Sequence, residues 1–356
     1  MSGYFYKELI SYLYNNPLII LNYALLFSFI TLFINKVKSI LYIIILLAIS
    51  ALGLCLFTNN LIYFLLGIEL YSLLYLLLLY NTLQKYIFLI EVRKLSLLSM
   101  IIGSIMTFGT TLVFLQNNST YIENIDIYDP LTKLGLSLIL IGILFKLCVF
   151  PFHIWVLDIY KKAPYYIVLI SDCLFKLILL QILLYFVRIF KIDNFNNIFI
   201  IFGSISMFLG IILSIKETNI KRFLGLFNIS HIGLILFLIL INNIDKFVST
   251  FGYLLMYSTC PLLLLLTIKD NIETFRSFKQ NNINISTRIL SIISLLAMIC
   301  IPPFHTFLSK VDLILLMIKE QEYTILILST MYFLLEIVVT IIKIRFIITT
   351  PFLTRN

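Results

Sequence analysis

Charged residues are scarce in this sequence. Asp, Glu, Lys and Arg make up 12% of the 356 residues, whereas hydrophobic residues make up 61%. Soluble globular domains carry about 25% charged residues, so this composition excludes that class. Apolar runs of about 20 residues recur along the whole chain, and a helix needs this length to cross the bilayer core. The sequence therefore predicts an all-α polytopic membrane protein.

Cofactor and metal motifs are also missing. The cysteines lie singly inside apolar segments, without Cys-x-x-Cys or a Cys/His cluster, at Cys55, Cys148, Cys173, Cys260 and Cys300. We expect them to pack as small apolar side chains. Nothing resembles a haem, iron–sulfur, flavin or nucleotide motif, so we expect this chain to bind no cofactor and no metal. The net charge of +9 is dispersed over short loops, which indicates membrane topology rather than nucleic-acid binding.

Hydrophobicity predicts eleven spanning segments in a single transmembrane domain, residues 1–356. Residues 1–16 are too polar to span and are expected at the interface, without a removable signal peptide. The segments are Pro17–Asn35, Ser39–Phe57, Leu61–Tyr80, Leu95–Leu115, Leu134–Phe152, Pro164–Val187, Ile198–Ile215, Phe223–Ile241, Phe247–Ile268, Ile289–Ile318 and Tyr323–Ile342. Two of them should break, near Pro151 and Pro302-Pro303. Backbone that is not helical is tolerated at membrane depth only where it is buried in protein or lines a water-filled cavity. Both breaks therefore predict a hydrated path.

The basic residues predict the orientation of the chain. If the segments alternate, seventeen Lys and Arg residues lie on one side and six on the other, and the remaining three, Lys146, Lys176 and Lys310, lie inside spans. Basic loops stay on the cytoplasmic or matrix side. The C-terminus should therefore face the matrix or cytoplasm and the N-terminus the opposite side.

Several ionisable side chains stand inside the predicted spans, where each costs about 2.5–3.5 kcal/mol on insertion scales. They are Glu69, Lys146, Lys176, Lys310 and Glu336. Burial disfavours a charged lysine, and a nearby carboxylate favours it. A lysine whose partner comes and goes can thus bind and release a proton. His231, like His153 and His305, has the chemistry to relay protons near neutral pH.

Structural roles remain open for some of these residues. Asp172 lies four residues before Lys176, so the two could form a static ion pair on one helix face. For Glu336, packing or a subunit contact accounts for the residue as well as proton handling does. A hydrogen-bonded structural histidine is an equally good reading of His231.

Four stretches resemble one family. FKLCVFPFHIWVLDIYKKAP, from Phe145 to Pro164, is similar to the segment FK…PFHxWxPDxYxGAP of the subunit 2 family of NADH dehydrogenases, which are antiporter-like subunits of respiratory complex I. GIEL at Gly67–Leu70, TNIKRFLGLFNISHIGLILF at Thr218–Phe237 and IPPFHTFLSK at Ile301–Lys310 extend the similarity. The resemblance covers residues 17 to 349. Leu157 and Lys161-Lys162 depart from the family pattern.

The resemblance implies roles for the buried charges and an antiporter-like fold. It implies that Glu69 pairs with Lys146, that Lys176 and Lys310 continue a proton relay, and that Lys221-Arg222 starts a flanking helix. It further implies that the chain lacks the family's first two helices and its last one.

The implied function is that of a non-redox, proton-translocating subunit of NADH:ubiquinone oxidoreductase. NAD, FMN, iron–sulfur clusters and ubiquinone would be bound by other subunits. The implied partners are the other membrane-arm subunits, including the antiporter-like ones, and lipids such as cardiolipin. Together with a composition typical of AT-rich organellar genes, the resemblance implies the mitochondrial inner membrane.

Other functions remain possible from the sequence. A subunit of a multisubunit cation/proton antiporter would share the fold class. A solute transporter should show internal repeats with a midplane binding site, and no substrate-sized polar cluster is present. A subunit that keeps the fold but pumps nothing should lose such costly residues, whereas all three lysines and the glutamate are retained.

Overall fold

The computed structural model describes residues 39–82, 86–190, 196–240, 264, 274–275, 285–299, 305–319 and 321–348. Within these ranges the secondary structure is helical, apart from two isolated β-bridges. The chain separates into two compact units, residues 1–196 and 197–356. The predicted spans Pro17–Asn35 and Phe247–Ile268 lie outside the described residues, except for Leu264.

The first unit contains seven described α-helices. They are α1 Ser39–Phe57, α2 Leu61–Thr82, α3 Tyr86–Asn117, α4 Pro130–Lys146, α5 Ile154–Lys162, α6 Tyr165–Ile170 and α7 Lys176–Phe190. Helix α1 is apolar all round: Leu52 is buried, whereas Ile43 and Leu47 are about half exposed. An all-round apolar helix that exposes large aliphatic side chains is typical of a lipid-facing span.

Helices α3 and α4 approach each other closely at two glycines. A Cβ atom built on Gly109 would lie 2.6 Å from the backbone oxygen of Gly135, and one on Gly135 would lie 2.6 Å from the oxygen of Gly109. Small residues permit this backbone approach between membrane helices. The pair therefore fixes the distance between α3 and α4, the helix that carries Lys146.

The fifth predicted span is broken, as its proline predicted. Helix α4 ends at Lys146, and α5 begins at Ile154. Between them the Phe150–Pro151 peptide bond is cis, and Cys148 has a positive φ of 64°. Lys146 consequently lies at the C-terminal end of α4, where the helix dipole favours a cation.

The sixth predicted span contains a π-helical turn that the sequence did not predict. Helix α6 runs into the π turn Ser171–Phe175, and α7 follows at Lys176. A π turn adds a residue to the helical repeat and often occurs at functional sites. Asp172 lies inside this turn, and Lys176 is the first residue after it.

The second unit contains helix α8, apart from its first residue, and four further described helices. They are α8 Asn196–Lys216, α9 Ile220–Leu240, α10 Ile285–Ile299, α11 His305–Lys319 and α12 Tyr323–Ile348. Asn219 caps α9, because its side-chain oxygen accepts hydrogen bonds from the backbone N–H groups of Lys221 and Arg222. The helix start implied at Lys221-Arg222 is thus observed. Pro302 and Pro303 lie outside the described residues, between α10 and α11.

Five described helices are long and apolar enough to cross a membrane. The qualifying stretches are Ile40–Phe57, Leu61–Thr82, Ile90–Asn117, Phe199–Lys216 and Tyr323–Arg345. Helix α4 has 17 residues because it ends at the break. The described part of the chain therefore contains several spans, and the number of eleven stays a prediction.

Candidate functional site

Lys146 is buried beside a small cavity in the first unit. Its side chain is 7% exposed, and its Nζ atom has no hydrogen-bond partner among the described residues. The adjacent cavity has a volume of about 20 Å³, large enough for about one water molecule. Its polar lining is Tyr71, Ser72, Tyr75, Ser99, Lys146 and Trp155. The site offers an ammonium group next to hydroxyl groups in an otherwise apolar interior.

Glu69 on α2 reaches the same region without touching the lysine. Its carboxylate packs against Gly103 of α3, and the Ser72 hydroxyl lies 3.3 Å from Oε2. Ser72 also lines the cavity. No hydrogen bond or ion pair joins the side chains of Glu69 and Lys146 in the structure. The implied pairing is therefore not a direct contact here, and an interaction between the two stays a prediction.

Lys176 and Asp172 form a tight buried ion pair. The Lys176 Nζ atom lies 2.6 Å from Oδ1 of Asp172, and the side chains are 4% and 1% exposed. The Tyr160 hydroxyl on α5 donates a hydrogen bond to the same oxygen. The other oxygen, Oδ2, is buried and has no hydrogen-bond partner among the described residues. Both donors therefore converge on one half of the carboxylate.

Tyr160 connects this ion pair to further hydroxyl groups. Its ring lies 5.2 Å from the Lys176 ammonium, within cation–π range. The Ser171 hydroxyl lies 3.0 Å from the Tyr160 hydroxyl and 2.9 Å from the Val168 carbonyl. Tyr75 lines the Lys146 cavity, and its ring packs 6.0 Å from that of Phe175 in the π turn. Hydroxyl groups therefore lie both beside Lys146 and beside Asp172.

The second unit contains its own cluster of buried charge, around Glu336 of α12. The Lys310 Nζ atom lies 2.5 Å from Oε2 of Glu336, and Nε2 of His231 lies 3.7 Å from Oε1. Glu336 itself is fully buried. The Tyr332 hydroxyl lies 3.4 Å from Nδ1 of His231 and 3.1 Å from the Ser230 hydroxyl. The structure thus brings together three sequence-predicted site residues that the sequence does not connect.

Lys343 has partners other than the Glu336 carboxylate seven residues before it. Its Nζ atom donates to the backbone oxygens of Ile215, at 2.9 Å, and Glu217, at 2.5 Å. It thereby satisfies backbone carbonyl groups that have no hydrogen-bond donor within the helix at the C-terminal end of α8. His153 lies in the α4–α5 break, half-buried and stacked on Phe150 at 5.7 Å. The side chain of His305 lies outside the described residues.

The sequence missed the hydroxyl groups around the charges. The sequence analysis did not select Tyr160, Ser171 and Tyr75. An uncharged hydroxyl group in an apolar helix has a much smaller cost of membrane insertion than a charge, so it does not stand out in the sequence. Two residues with extended backbone, Ala163 and Pro164, separate α5 from α6, so Tyr160 and Asp172 lie on different helical segments. A sequence spacing of twelve residues gave no sign of this contact.

Comparison with known proteins gives the family. Residues 58–335 match the sequence profile of the NADH:quinone oxidoreductase/Mrp antiporter membrane subunits. NADH-quinone oxidoreductase subunit N 1 of Thermodesulfovibrio yellowstonii is 26% identical over 61% of this chain and 49% of its own. The chloroplastic NAD(P)H-quinone oxidoreductase subunit 2 of Mesostigma viride is 33% identical over 50% of this chain and 38% of its own. The chain spans half or less of the length of these relatives.

Solved structures share the fold. A chain of respiratory complex I from Thermus thermophilus superimposes with a TM-score of 0.80 over 94% of this chain and 76% of its own, at 20% identity. A chain of the Mrp complex from Dietzia sp. gives a TM-score of 0.73 over 85% of this chain and 59% of its own, at 18% identity. The predicted all-helical membrane protein with an antiporter-like fold is confirmed. By the profile match over most of its length, the chain belongs to the family of NADH:quinone oxidoreductase/Mrp antiporter membrane subunits.

Proposed function

We propose that this chain is the subunit 2 (subunit N) equivalent of a proton-translocating NADH:ubiquinone oxidoreductase. The observation that carries the proposal is the placement of three lysines inside apolar helices, two in contact with a carboxylate and one beside a hydroxyl-lined cavity. Such costly groups in spans mark ion or proton pathways. The names of the sequence relatives support the choice of complex.

In this function the buried groups bind and release protons in turn. Glu69 changes the proton affinity of Lys146. Lys176 passes the proton on at the centre of the relay. Lys310, together with Glu336 and His231, binds and releases the proton on the exit side. Moving a proton against a membrane potential costs about 2.3 kcal/mol per 100 mV. The chain therefore depends on energy from quinone reduction in other subunits, and it contributes no redox centre of its own to the enzyme.

The assembly and location belong to the same proposal. The partners are the other membrane-arm subunits, including further antiporter-like ones, and lipids such as cardiolipin. NAD, FMN, iron–sulfur clusters and ubiquinone are held by those other subunits. The Ile-, Phe- and Asn-rich composition supports an organellar gene, and hence the mitochondrial inner membrane with the C-terminus on the matrix side.

Replacing Lys146 with Met tests the function. Methionine has a similar length and no charge, so insertion and assembly should be unchanged while proton translocation falls by about tenfold or more. The complex is purified on a native gel stained for NADH oxidation and reconstituted in vesicles with a pH-sensitive dye. Lys161→Met, which removes an exposed lysine of α5, is the matched control. Full pumping by Lys146→Met would remove this residue from the pathway.

A second candidate is a subunit of a multisubunit cation/proton antiporter, favoured by the similarity to the Mrp complex. The two functions differ in their energy source. Vesicles that acidify with NADH and without added Na⁺ support the first proposal, whereas Na⁺-driven proton movement without NADH supports the second. The subunits that co-migrate with the chain on a native gel give an independent answer.

A further inference from the structure

Three side chains of the first unit form a hydrogen-bonded series, here called the hydroxyl series: Ser171, Tyr160 and Asp172. Ser171 donates to Tyr160 over 3.0 Å, and Tyr160 donates to Oδ1 of Asp172. Tyr75 borders the Lys146 cavity and packs its ring 6.0 Å from that of Phe175, in the same π turn as Ser171. The two hydrogen bonds share one direction, towards the carboxylate.

We propose that the hydroxyl series carries a proton from the Lys146 cavity to Asp172, and that its arrival separates Lys176 from its counter-ion. The inference rests on the proposed function. It assigns positioning and proton-carrying roles to Tyr160, Ser171 and Asp172, beyond the roles of the lysines.

The transfer balances at every atom. A proton delivered from the cavity side bonds to the Ser171 oxygen, and the original Ser171 proton moves to the Tyr160 oxygen. The original Tyr160 proton then moves to Asp172. Each hydroxyl gains one proton and loses one, so the only net change is a neutral carboxyl group at Asp172.

The ion-pair geometry suits this role better than that of a static clamp. A structural carboxylate normally satisfies both oxygens with hydrogen bonds. In Asp172 both donors use Oδ1, and the buried Oδ2 has no partner among the described residues. Once Asp172 is neutral, Lys176 is a buried cation without a counter-ion, which is strongly destabilised. Lys176 then releases its proton to the next proton-binding group of the relay, and the proton on Asp172 moves to the neutral lysine across their 2.6 Å contact. One proton has entered and one has left, and the ion pair is restored for the next cycle.

Tyr160→Phe and Ser171→Ala test the hydroxyl series with little change in packing. Tyr160→Phe keeps the ring over Lys176 and removes only the hydroxyl. In the whole complex reconstituted in vesicles, both variants should assemble normally and translocate protons about tenfold more slowly or worse. Tyr185→Phe, which removes a half-buried hydroxyl of α7, is the control and should pump at the wild-type rate.

A solvent isotope measurement separates proton transfer from packing. If the hydroxyl series is the route, interrupting it makes proton transfer limiting, so the ratio of rates in H₂O and D₂O should rise in both variants. A structural defect lowers the rate and leaves this ratio unchanged, and that result would overturn the proposal. Should Tyr160→Phe fail to assemble, Ser171→Ala decides the question by the same ratio.

Lys146→Met, measured in parallel, distinguishes the two proposals. If it stops pumping while Tyr160→Phe and Ser171→Ala pump at the wild-type rate, the hydroxyl series is wrong and the proposed function stands. If Lys146→Met itself pumps normally, Lys146 is removed from the pathway, and the hydroxyl series loses its proton source with it.

Discussion

At the scale of single residues, the buried lysines differ in how their charge is compensated. Lys146 has no hydrogen-bonding partner among the described residues. Lys176 and Lys310 each lie within 2.6 Å of a carboxylate. An ammonium in a tight ion pair is stabilised by its partner, whereas one beside a cavity depends on solvation and on more distant charge. The charge of Lys146 should therefore respond most readily to small movements around it.

Glu69 lies next to Ser72, which lines the Lys146 cavity, so its substitution should change pumping. Glu69→Gln removes the charge and should reduce proton translocation by about tenfold, equivalent to about 1.4 kcal/mol. Glu69→Asp keeps the charge and should retain more activity. Vesicle acidification measures both variants, with Glu123→Gln, on an exposed turn, as the control. Equal activity of the Gln and Asp variants would instead indicate a packing role.

Asp172 and Lys176 should depend on each other for stability. Asp172→Asn leaves a buried ammonium without its counter-ion, and losing one partner of a buried pair costs about 3–5 kcal/mol. The amount of complex on a native gel should fall. Adding Lys176→Met removes the stranded charge, so assembly should recover while pumping stays lost. A double variant that assembles and pumps fully would exclude Lys176 from the pathway and leave the pair as a structural clamp.

The sequence identified the charged site residues because membrane-buried charge is rare enough to be noticed. It gave their partners only when these lay on the same helix face, as for Asp172 and Lys176. The contact of Lys310 with Glu336 joins two helices, and the two residues are 26 positions apart in the sequence. Such a contact depends on helix packing, which single-sequence patterns do not contain.

At the scale of helices, Pro151 predicted the interruption between α4 and α5, the break near Pro302-Pro303 stays a prediction, and nothing predicted the π turn. Pro151 lacks an N–H donor, so the break between α4 and α5 follows from local chemistry. The π turn Ser171–Phe175 contains no proline or glycine. Its extra residue is accommodated by tertiary contacts, such as the ring contacts of Phe175 with Tyr71 and Tyr75. No local sequence signal for it exists.

The contact between α3 and α4 should be sensitive to a single methyl group. Gly135→Ala places a Cβ atom 2.6 Å from the Gly109 backbone oxygen, and overpacking of this kind typically costs about 1–3 kcal/mol. The complex should dissociate at a lower temperature on native gels after graded heating. Ser137→Ala, two residues further along α4, should leave that temperature unchanged. An unchanged temperature in Gly135→Ala would contradict the close approach.

At the scale of the whole molecule, the distribution of basic residues still predicts the orientation. The turn after α3 should face the side poor in Lys and Arg, and the end of α5 the side rich in them. Tyr128, which is 84% exposed, and Lys161 are suitable positions for single cysteines. A membrane-impermeant maleimide should label Tyr128→Cys from the outer side and Lys161→Cys only in inverted vesicles. The opposite pattern would reverse the topology.

Each unit has a complete buried ion pair of its own. Lys176 pairs with Asp172 in the first unit, and Lys310 pairs with Glu336 in the second. The sequence predicted a row of proton-binding groups along the chain, and the structure places Lys176 in the first unit and Lys310 in the second. Within each unit, a local change of charge has an immediate partner to act on.

The Ser171 hydroxyl has one hydrogen and two acceptors within reach. It can point to the Val168 carbonyl at 2.9 Å or to the Tyr160 oxygen at 3.0 Å. In the first orientation the hydroxyl series is interrupted, and in the second it is continuous. After each transfer the Tyr160 hydrogen also points back towards Ser171 and must rotate before another proton can follow. Rotation about single C–O bonds would thus limit transfer to one proton at a time. It would also oppose the return of protons driven by the membrane potential.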